Sequence, residues 1–579
     1  MSLAKSSLCK CLKGPADSTG KTTQSIPQDA EKPCSTITHR LKLAQAYKEL
    51  GYPDLAVGDA YKALLLIDEV VGEGEYHEEA SDAAALDYTS QQLGHINIED
   101  ESDSTPAPLD SILNWVQVSC LRDTYILLIK SLQICGCLRS AFDYISRAKK
   151  AFPEDKLFED FHKSLMDRVR IALGVQEDTL SSIDIDDFPE KGFVRREQYP
   201  WNHHEPDRFS EACLQSLNEQ LEDIAPKLEV RISELPVLTH SSNALNASKS
   251  QAQFTKQLGL FAKEDIPPGE QILEEKSLLT AVLRFHESYC DACSILLPNP
   301  HGEATASETS NMTVGCDECD EVYFCSNDCH DLAQESYHPS ICGVTVDQGT
   351  IPASEAADHL YTLLLVRALA LAETQELHPL ELKELRYIWG DYHGCDLDST
   401  WQVDATEMPV KAFGTVPCTL PFSFKSNVLM PLHVLEKMDI NIFTETERYD
   451  TWIFNTLYAK FRGTASARQG LDGKPDTSAV HPMWCLANHS CDPNVAWDWQ
   501  GTMRFWTRDQ RIEWAGRDSK QEPGLRQGEE VFGHYCDITL PVKERREWAA
   551  GALGGDCMCP RCIWEEMEEA KCHAAETGR

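Results

Sequence analysis

Asn488-His489-Ser490-Cys491-Asp492-Pro493-Asn494, then Gly528-Glu529-Glu530, Tyr535 and Cys557-Met558-Cys559-Pro560-Arg561-Cys562, is the stretch on which the reading of this chain turns. Alone, each piece reads as a capped turn, a packed aromatic or a few reduced surface cysteines. In this order they read as one site. The C-x-C-x2-C run offers three thiolates at metal-ligand spacing and calls for a fourth ligand. A second block lies upstream: Cys290-x2-Cys293, Cys316-x2-Cys319, Cys325-x3-Cys329 and His338-x3-Cys342. Eight soft ligands suffice for two tetrahedral zinc ions, and paired thiolates two or three residues apart grip one ion from a single turn. His330 is the rival of His338; directly after Cys329, it is expected to face solvent.

The C-terminal set resembles the catalytic half of a SET-domain lysine methyltransferase with its closing zinc cluster. The resemblance implies methyl transfer from the sulfonium of S-adenosyl-L-methionine to a lysine amine. That reaction is an in-line displacement with no redox step, and alignment alone lowers its barrier by roughly 7–11 kcal/mol. The amine, with a free pKa of ~10.4, must lose its proton, and an apolar channel favours the neutral form. Carried over, Asn488 and His489 hold the cofactor by side-chain and backbone hydrogen bonds. Tyr535 touches the cofactor, lines the methyl-transfer pore and orients the amine, and its oxygen can accept a weak C–H hydrogen bond from the methyl group. Trp497, Trp499 and Phe532 line a lysine channel or are core aromatics; the sequence leaves both open.

The upstream block, with Tyr323-Phe324-Cys325-Ser326 in its third pair, resembles a MYND finger. In that family the ligands interleave, which implies one zinc on Cys290, Cys293, Cys325 and Cys329 and another on Cys316, Cys319, His338 and Cys342. The run of Pro298, Asn299, Pro300, His301 and further Ser, Thr, Glu and Ala residues reads as a disordered surface loop lengthening the finger. For the C-terminal cluster the resemblance supplies Cys491 as the fourth ligand of a third zinc, beside Cys557, Cys559 and Cys562. Metal binding there is thereby coupled to the cofactor loop.

Leu258-Gly259-Leu260-Phe261-Ala262 and Asp265-Ile266-Pro267-Pro268-Gly269-Glu270 look like the opening hairpin of the same fold. Gly259 and Leu260 are the implied cofactor contacts, glycine permitting close backbone approach. Two positions depart from the family pattern. Gln257 stands where a second glycine is usual, and Gly555 stands where relatives place an aromatic residue over the adenine; Trp564 is the candidate replacement.

The order of segments follows. Residues 254–289 begin the SET fold, 290–342 form the finger, and 343–477 form a helical insert whose Leu360–Ala370 segment fits a buried helix, with Arg367 arguing against a membrane span. Residues 478–540 are the catalytic half, 541–566 the post-SET zinc region and 567–579 a tail. Upstream, Leu43, Ala44, Tyr47, Gly51, Ala56, Ala60 and Ala63 match the positions of a tetratricopeptide helix pair. Gly136, Ala141 and Ala148 each follow a counterpart by 85 residues, against a tandem period of ~34. Residues 35–173 are therefore read as TPR-like hairpins with a mobile acidic insertion at 72–110; a generic helical bundle is the alternative. Residues 174–253 read as an acidic linker and helical connector that docks on a domain, its His203-His204 pair not expected to hold a metal. Residues 1–34 are polar and expected to be disordered, and Cys9-x-Cys11 is too sparse to indicate a metal.

Composition agrees. A chain of 579 residues holds about two to four domains. It has no apolar run long enough for a membrane and no signal-peptide core. Its 23 cysteines, at metal-ligand spacings and without a signal peptide, indicate zinc and a reducing compartment, nucleus or cytoplasm. A net charge of −40 argues against wrapping of nucleic acid by the chain as a whole and suits basic partners.

The expectation is a multidomain α+β protein: TPR-like helices, a β-rich SET fold with an inserted MYND finger and helical insert, and a zinc-bound post-SET cap. Its expected activity is protein-lysine N-methylation, with lysine-containing proteins, histone tails among them, as substrates and peptide partners for the TPR-like and MYND modules. The alternative is a scaffold that keeps the SET shape without turnover, and Gln257 and Gly555 sustain it.

Overall fold

Thr36 accepts a hydrogen bond from the backbone N–H of His39 and so caps the first helix, which ends at Gly51 in a left-handed turn (φ +82°). The computed structural model describes residues 36–72, 74–93, 108–180, 182–236, 254–277, 279–283, 288–298, 313–319, 321–344, 355–390, 419–469, 475–517, 522–553 and 555–576. These fall into two units, residues 36–195 with 419–454 and residues 196–390 with 455–576.

The first unit is helical. Helices α1 (Ile37–Glu49) and α2 (Pro53–Gly72) form one hairpin. After α3 (His77–Leu93), α4 (Leu121–Ile134), α5 (Leu138–Ala151) and α6 (Lys156–Leu173) continue the stack. Ala44, Ala56, Ala60, Ala63, Ala141 and Ala148 are fully buried, so small side chains let the helices close on each other. Gly136 repeats the left-handed turn of Gly51 (φ +78°), and a Cβ there would come 2.9 Å from the Cα of Gly192. Arg40 pairs with Asp59 at 2.9 Å and donates to the Phe443 carbonyl, while Lys62 pairs with Asp450 at 2.8 Å. These buried charges tie the returning segment 419–454 to the first hairpin.

Two expectations need correction here. The insertion expected at 72–110 is helical over His77–Leu93, where Asp87 accepts from the Thr38 backbone, and helix resumes at Leu109. Its Ala-, Glu- and Leu-rich composition favours helix more than its acidity opposes it. The linker expected at 174–253 contains two strands. Lys191–Arg195 pairs antiparallel with Thr419–Ser423 in the first unit, and Leu228–Pro236 belongs to the second unit. The disorder expected for 1–34 and the finger loop beyond Leu297 falls largely outside the described residues, as does the stretch 94–107.

In the second unit, β1 (Leu228–Pro236) and β2 (Phe254–Ala262) pair antiparallel along their whole length, Leu228 opposite Ala262 and Pro236 opposite Phe254. The opening strand expected from Leu258–Ala262 thus finds its partner upstream. Strand β3 (Gln271–Lys276) joins β9 (Thr502–Thr507), which pairs with β8 (Val495–Trp499). Strand β6 (Pro475–Val480) lies between β4 (Leu279–Val282) and β5 (Ser466–Gln469). The short β7 (Asn488–His489) runs parallel to β10 (Phe532–Gly533). The chain entering β10 also bonds to β2, through Val531 N–H to the Leu260 carbonyl and Ala262 N–H to the Glu529 carbonyl. Residues 528–533 are thereby laced between two distant strands, over a core of Leu258, Leu260, Val495, Met503, Phe505 and Val531. Helix Ala356–Thr374 is buried along much of its length, and no described helix is long and apolar enough to cross a membrane. Arg367 on that helix stacks over Tyr337 (3.6 Å) and bonds to Asp291, clamping the helix to the finger.

Candidate active site and metal centres

Pro560 opens the helix Pro560–Glu576, and this places Cys562 one turn in, where its N–H meets the sulfur of Cys559. The sulfurs of Cys491, Cys557, Cys559 and Cys562 lie within 4.8 Å of one another. Cys491 is 3.9 Å from Cys557 and 3.4 Å from Cys562. A zinc tetrahedron with Zn–S bonds near 2.3 Å has edges of about 3.8 Å, so these separations fit one ion and are far too long for disulfides. Three arginines brace the cluster. Arg545 donates to the Cys562 sulfur (3.4 Å), Arg546 to the Cys557 carbonyl (3.1 Å) and Arg561 to the Cys491 carbonyl (2.8 Å). Four thiolates on a divalent ion leave a net negative charge, which these guanidiniums offset.

The finger brings together two further sets, Cys290/Cys293/Cys325/Cys329 and Cys316/Cys319/His338/Cys342. Sulfur separations of 3.7 Å (Cys293–Cys325), 3.6 Å (Cys325–Cys329) and 3.9 Å (Cys316–Cys342) again match the edges of a zinc tetrahedron. His338 turns Nε2 to Cys316 (3.2 Å) and Cys319 (3.7 Å). His330 instead pairs with Asp331 at 2.9 Å. His204, in the upstream pair, meets Glu381 at 3.1 Å and stacks on His378.

Asn488, His489 and Tyr535 meet where β7 and β10 run side by side. The amide of Asn488 donates both hydrogens to protein, to the Leu258 carbonyl (3.0 Å) and Glu530 (2.7 Å), so its Oδ1 is what it presents to a ligand. A Cβ on Gly259 would come 2.5 Å from Glu530 Oε1 and 3.1 Å from Asn488 Nδ2; glycine lets this pair lie against β2. Leu260 is fully buried in the core. Burial lowers the pKa of His489 to about 4, so its ring is neutral. Its Nδ1 accepts from the Tyr535 backbone N–H at 3.0 Å. The proton therefore sits on Nε2, which faces the Cys491 sulfur at 3.3 Å and donates to it. His489, Cys491 and Cys536 form a further close group, but with Nε2 protonated the imidazole serves the sulfur as a donor and does not coordinate. The Tyr535 hydroxyl donates to the Ala487 carbonyl at 2.8 Å.

Two residues given no role by the motifs, Asn494 within the quoted stretch and Glu275 outside it, hold this arrangement. Asn494 is buried, donates to the Glu530 carbonyl and accepts from the Phe532 N–H (both 2.7 Å), fixing the laced segment. Glu275 is buried and accepts from the N–H groups of Met483 (3.1 Å) and Trp484 (2.8 Å), fixing the turn that leads to Asn488. The loss of solvent raises its pKa to about 7. Of the aromatics left open by the sequence, Trp499 is core, its indole bonded to Ser277. Trp497 is half-buried, stacks on His534 (5.4 Å) and meets Trp484 edge-on (5.5 Å); Phe532 is half-buried in β10. Gly555 is buried and brings no ring. Trp564 packs on Trp514 (5.9 Å) and over Gly516, and Trp514 is tied to Asp492 at 3.1 Å, so Trp564 covers the segment after β9.

Residues 257–513 match the model of the SET domain family. A segment of 94 residues is 32% identical to N-lysine methyltransferase SMYD2 of Homo sapiens, covering 16% of this chain and 19% of that protein. Over segments of the same length the chain is 31% identical to the Bos taurus protein of that name and 31% identical to N-lysine methyltransferase SMYD2-A of Danio rerio. The chain thus spans about a fifth of the length of the curated relatives it matches, 19% in each case.

Proposed function

We propose, from a chain whose residues 257–513 match the SET domain family, that it is a protein-lysine N-methyltransferase using S-adenosyl-L-methionine. The observation that carries the reading is that Asn488 lies against Gly259 while the Tyr535 hydroxyl is bonded to Ala487, the residue just before Asn488. The names of the relatives, N-lysine methyltransferases, agree with it. When bound, the cofactor supplies a methyl group on an electron-poor sulfonium. Asn488 Oδ1 would accept a hydrogen bond from it, and His489 would contribute through its backbone, since both its ring nitrogens are committed to protein. Tyr535 orients the lysine amine with its oxygen lone pairs. Trp497, Trp484 and His534 desolvate the amine, and desolvation favours its neutral, nucleophilic form.

Three zinc ions, two in a MYND-type finger and one in the post-SET cap, are the natural occupants of the sulfur clusters, and their work is structural. The TPR-like hairpins and the finger recruit protein partners, and the substrates are lysine-bearing proteins with basic surroundings, histone tails among them. Reduced zinc thiolates suit the nucleus and cytoplasm.

Calorimetric titration of the zinc-loaded protein with S-adenosyl-L-methionine tests this directly. Saturable heat is expected, and Tyr535→Phe is expected to lower the rate of methyl transfer at least about a hundredfold while cofactor affinity changes less than about twofold. Absence of heat at high protein concentration overturns the function, and full rate in Tyr535→Phe overturns the role given to that tyrosine.

A further inference from the structure

Cys293 lies against the turn that joins β8 to β9. Gly501 in that turn is buried with φ +75°, and a Cβ there would come 3.0 Å from the Cys293 sulfur. Strands hold the finger's first cysteine pair on its other sides. Arg468 on β5 donates from Nη2 to the Ser294 carbonyl and from Nη1 to the Trp499 carbonyl (3.4 Å). Its guanidinium lies 5.6 Å and 5.2 Å from the ring centres of Tyr289 and Trp499. Tyr289 donates its hydroxyl to Asp476 on β6 (3.2 Å), and Thr280 on β4 donates to the Ala292 carbonyl (3.1 Å). Ser294 is fully buried with a left-handed backbone (φ +61°), a strained conformation for serine that only fixed surroundings maintain. The second ligand set rests on a helix instead: Ser340, between His338 and Cys342, bonds to Thr374 at 2.7 Å.

Strand β8 carries these contacts onward. On the same strand as Trp499, Trp497 donates its indole N–H to the His534 carbonyl (3.1 Å) and stacks on the His534 ring. The next residue, Tyr535, donates its backbone N–H to His489. A contiguous run of contacts thus leads from Cys293 through the β8–β9 turn to the backbone that bears Tyr535. We propose that Arg468 is a positioning residue, and that together with the ion on Cys290, Cys293, Cys325 and Cys329 it sets β8 and so the placement of Tyr535. A planar cation suits the task, since it spans two carbonyls and two rings where an ammonium is a point charge. Asn488 and Gly259 lie off this run, so cofactor binding is spared. That the positioned residue is catalytic rests on the methyltransferase reading; the coupling of finger to strand does not.

Hydrogen exchange of the zinc-loaded full chain, without cofactor, tests the coupling. Cys293→Ser, which removes the first finger ion, is expected to speed exchange of the amides in Val495–Trp499 and His534–Cys536 about tenfold or more. Cys319→Ser, which removes the second, is expected to leave those amides unchanged; a finger that merely held the fold together would respond alike to either loss. Arg468→Ala keeps every ligand and so covers the case in which Cys293→Ser fails to fold. It is expected to speed exchange at the same amides. Under a competing chelator it is expected to lose one ion before the unaltered protein does, freeing Cys290, Cys293, Cys325 and Cys329 to alkylation. Its rate of methyl transfer is expected to fall about tenfold or more while cofactor affinity changes less than about twofold. Unchanged exchange in Arg468→Ala, or the same response to loss of either finger ion, overturns the assignment. The expected exchange and zinc results without turnover by the unaltered protein uphold the coupling and overturn only the methyltransferase reading.

Discussion

His489 joins the metal cluster to the tyrosine with one neutral ring. Nδ1 takes the Tyr535 N–H and Nε2–H meets the Cys491 sulfur, so any movement of Cys491 is felt at Tyr535. A donor to a metal-bound thiolate typically accounts for 10–100-fold in metal affinity. His489→Leu is therefore expected to weaken the tail zinc about tenfold or more and leave both finger ions in place. Under a competing chelator, zinc per chain should fall from three to two before the unaltered protein loses any; equal retention by both proteins contradicts the link. Pairs of candidate ligands were readable from spacing, because thiolates that share an ion recur at short intervals; the interleaving of the finger pairs and the place of Cys491 came from the family resemblance. The supports of these ligands were not readable. Arg545 and Arg561 reach the cluster through the packing of two helices, and Cys536 sits beside Cys491 only because β10 returns past β7. Nothing local in the sequence marks such neighbours.

The turn from Pro482 to Ala487 aims Asn488, and Glu275 on β3 holds it by two backbone hydrogen bonds. Burial raises the pKa of this carboxyl from 4.5 to about 7. In this window the folded chain binds the proton that the unfolded chain releases. Stability from Glu275 is thus fully present below pH 4.5 and is lost as the pH rises to about 7. Glu275→Gln removes this titration. Denaturant melts should show the unaltered protein losing ground to the variant across that range, by a few kcal/mol; parallel stability curves refute the assignment. Strand β1 illustrates what escaped the sequence at this scale. Leu228-Glu229-Val230-Arg231-Ile232 alternates as a strand should, yet it lies in an acid-rich stretch and its partner β2 follows only after residue 253. Acidity likewise concealed the helix His77–Leu93. The helix pair around Gly51 was legible because small residues and a left-handed glycine turn state the packing locally.

Across the whole chain, a charge of −40 and three soft-ligand clusters that could hold metal accord with the proposed basic substrate and structural zinc. The segment 528–533 is the mechanical centre: it is bonded to β2 on one side and β7 on the other, and it leads directly to Tyr535, which bonds to His489 and Ala487. The measurement that bears most directly on this account is mass spectrometry of a cell proteome incubated with the zinc-loaded protein and a cofactor carrying an isotopically labelled methyl group. Labelled methyl on lysine side chains is predicted with the unaltered protein and its absence with Tyr535→Phe. No labelled lysine from the zinc-loaded protein, or equal labelling by the two proteins, would contradict it.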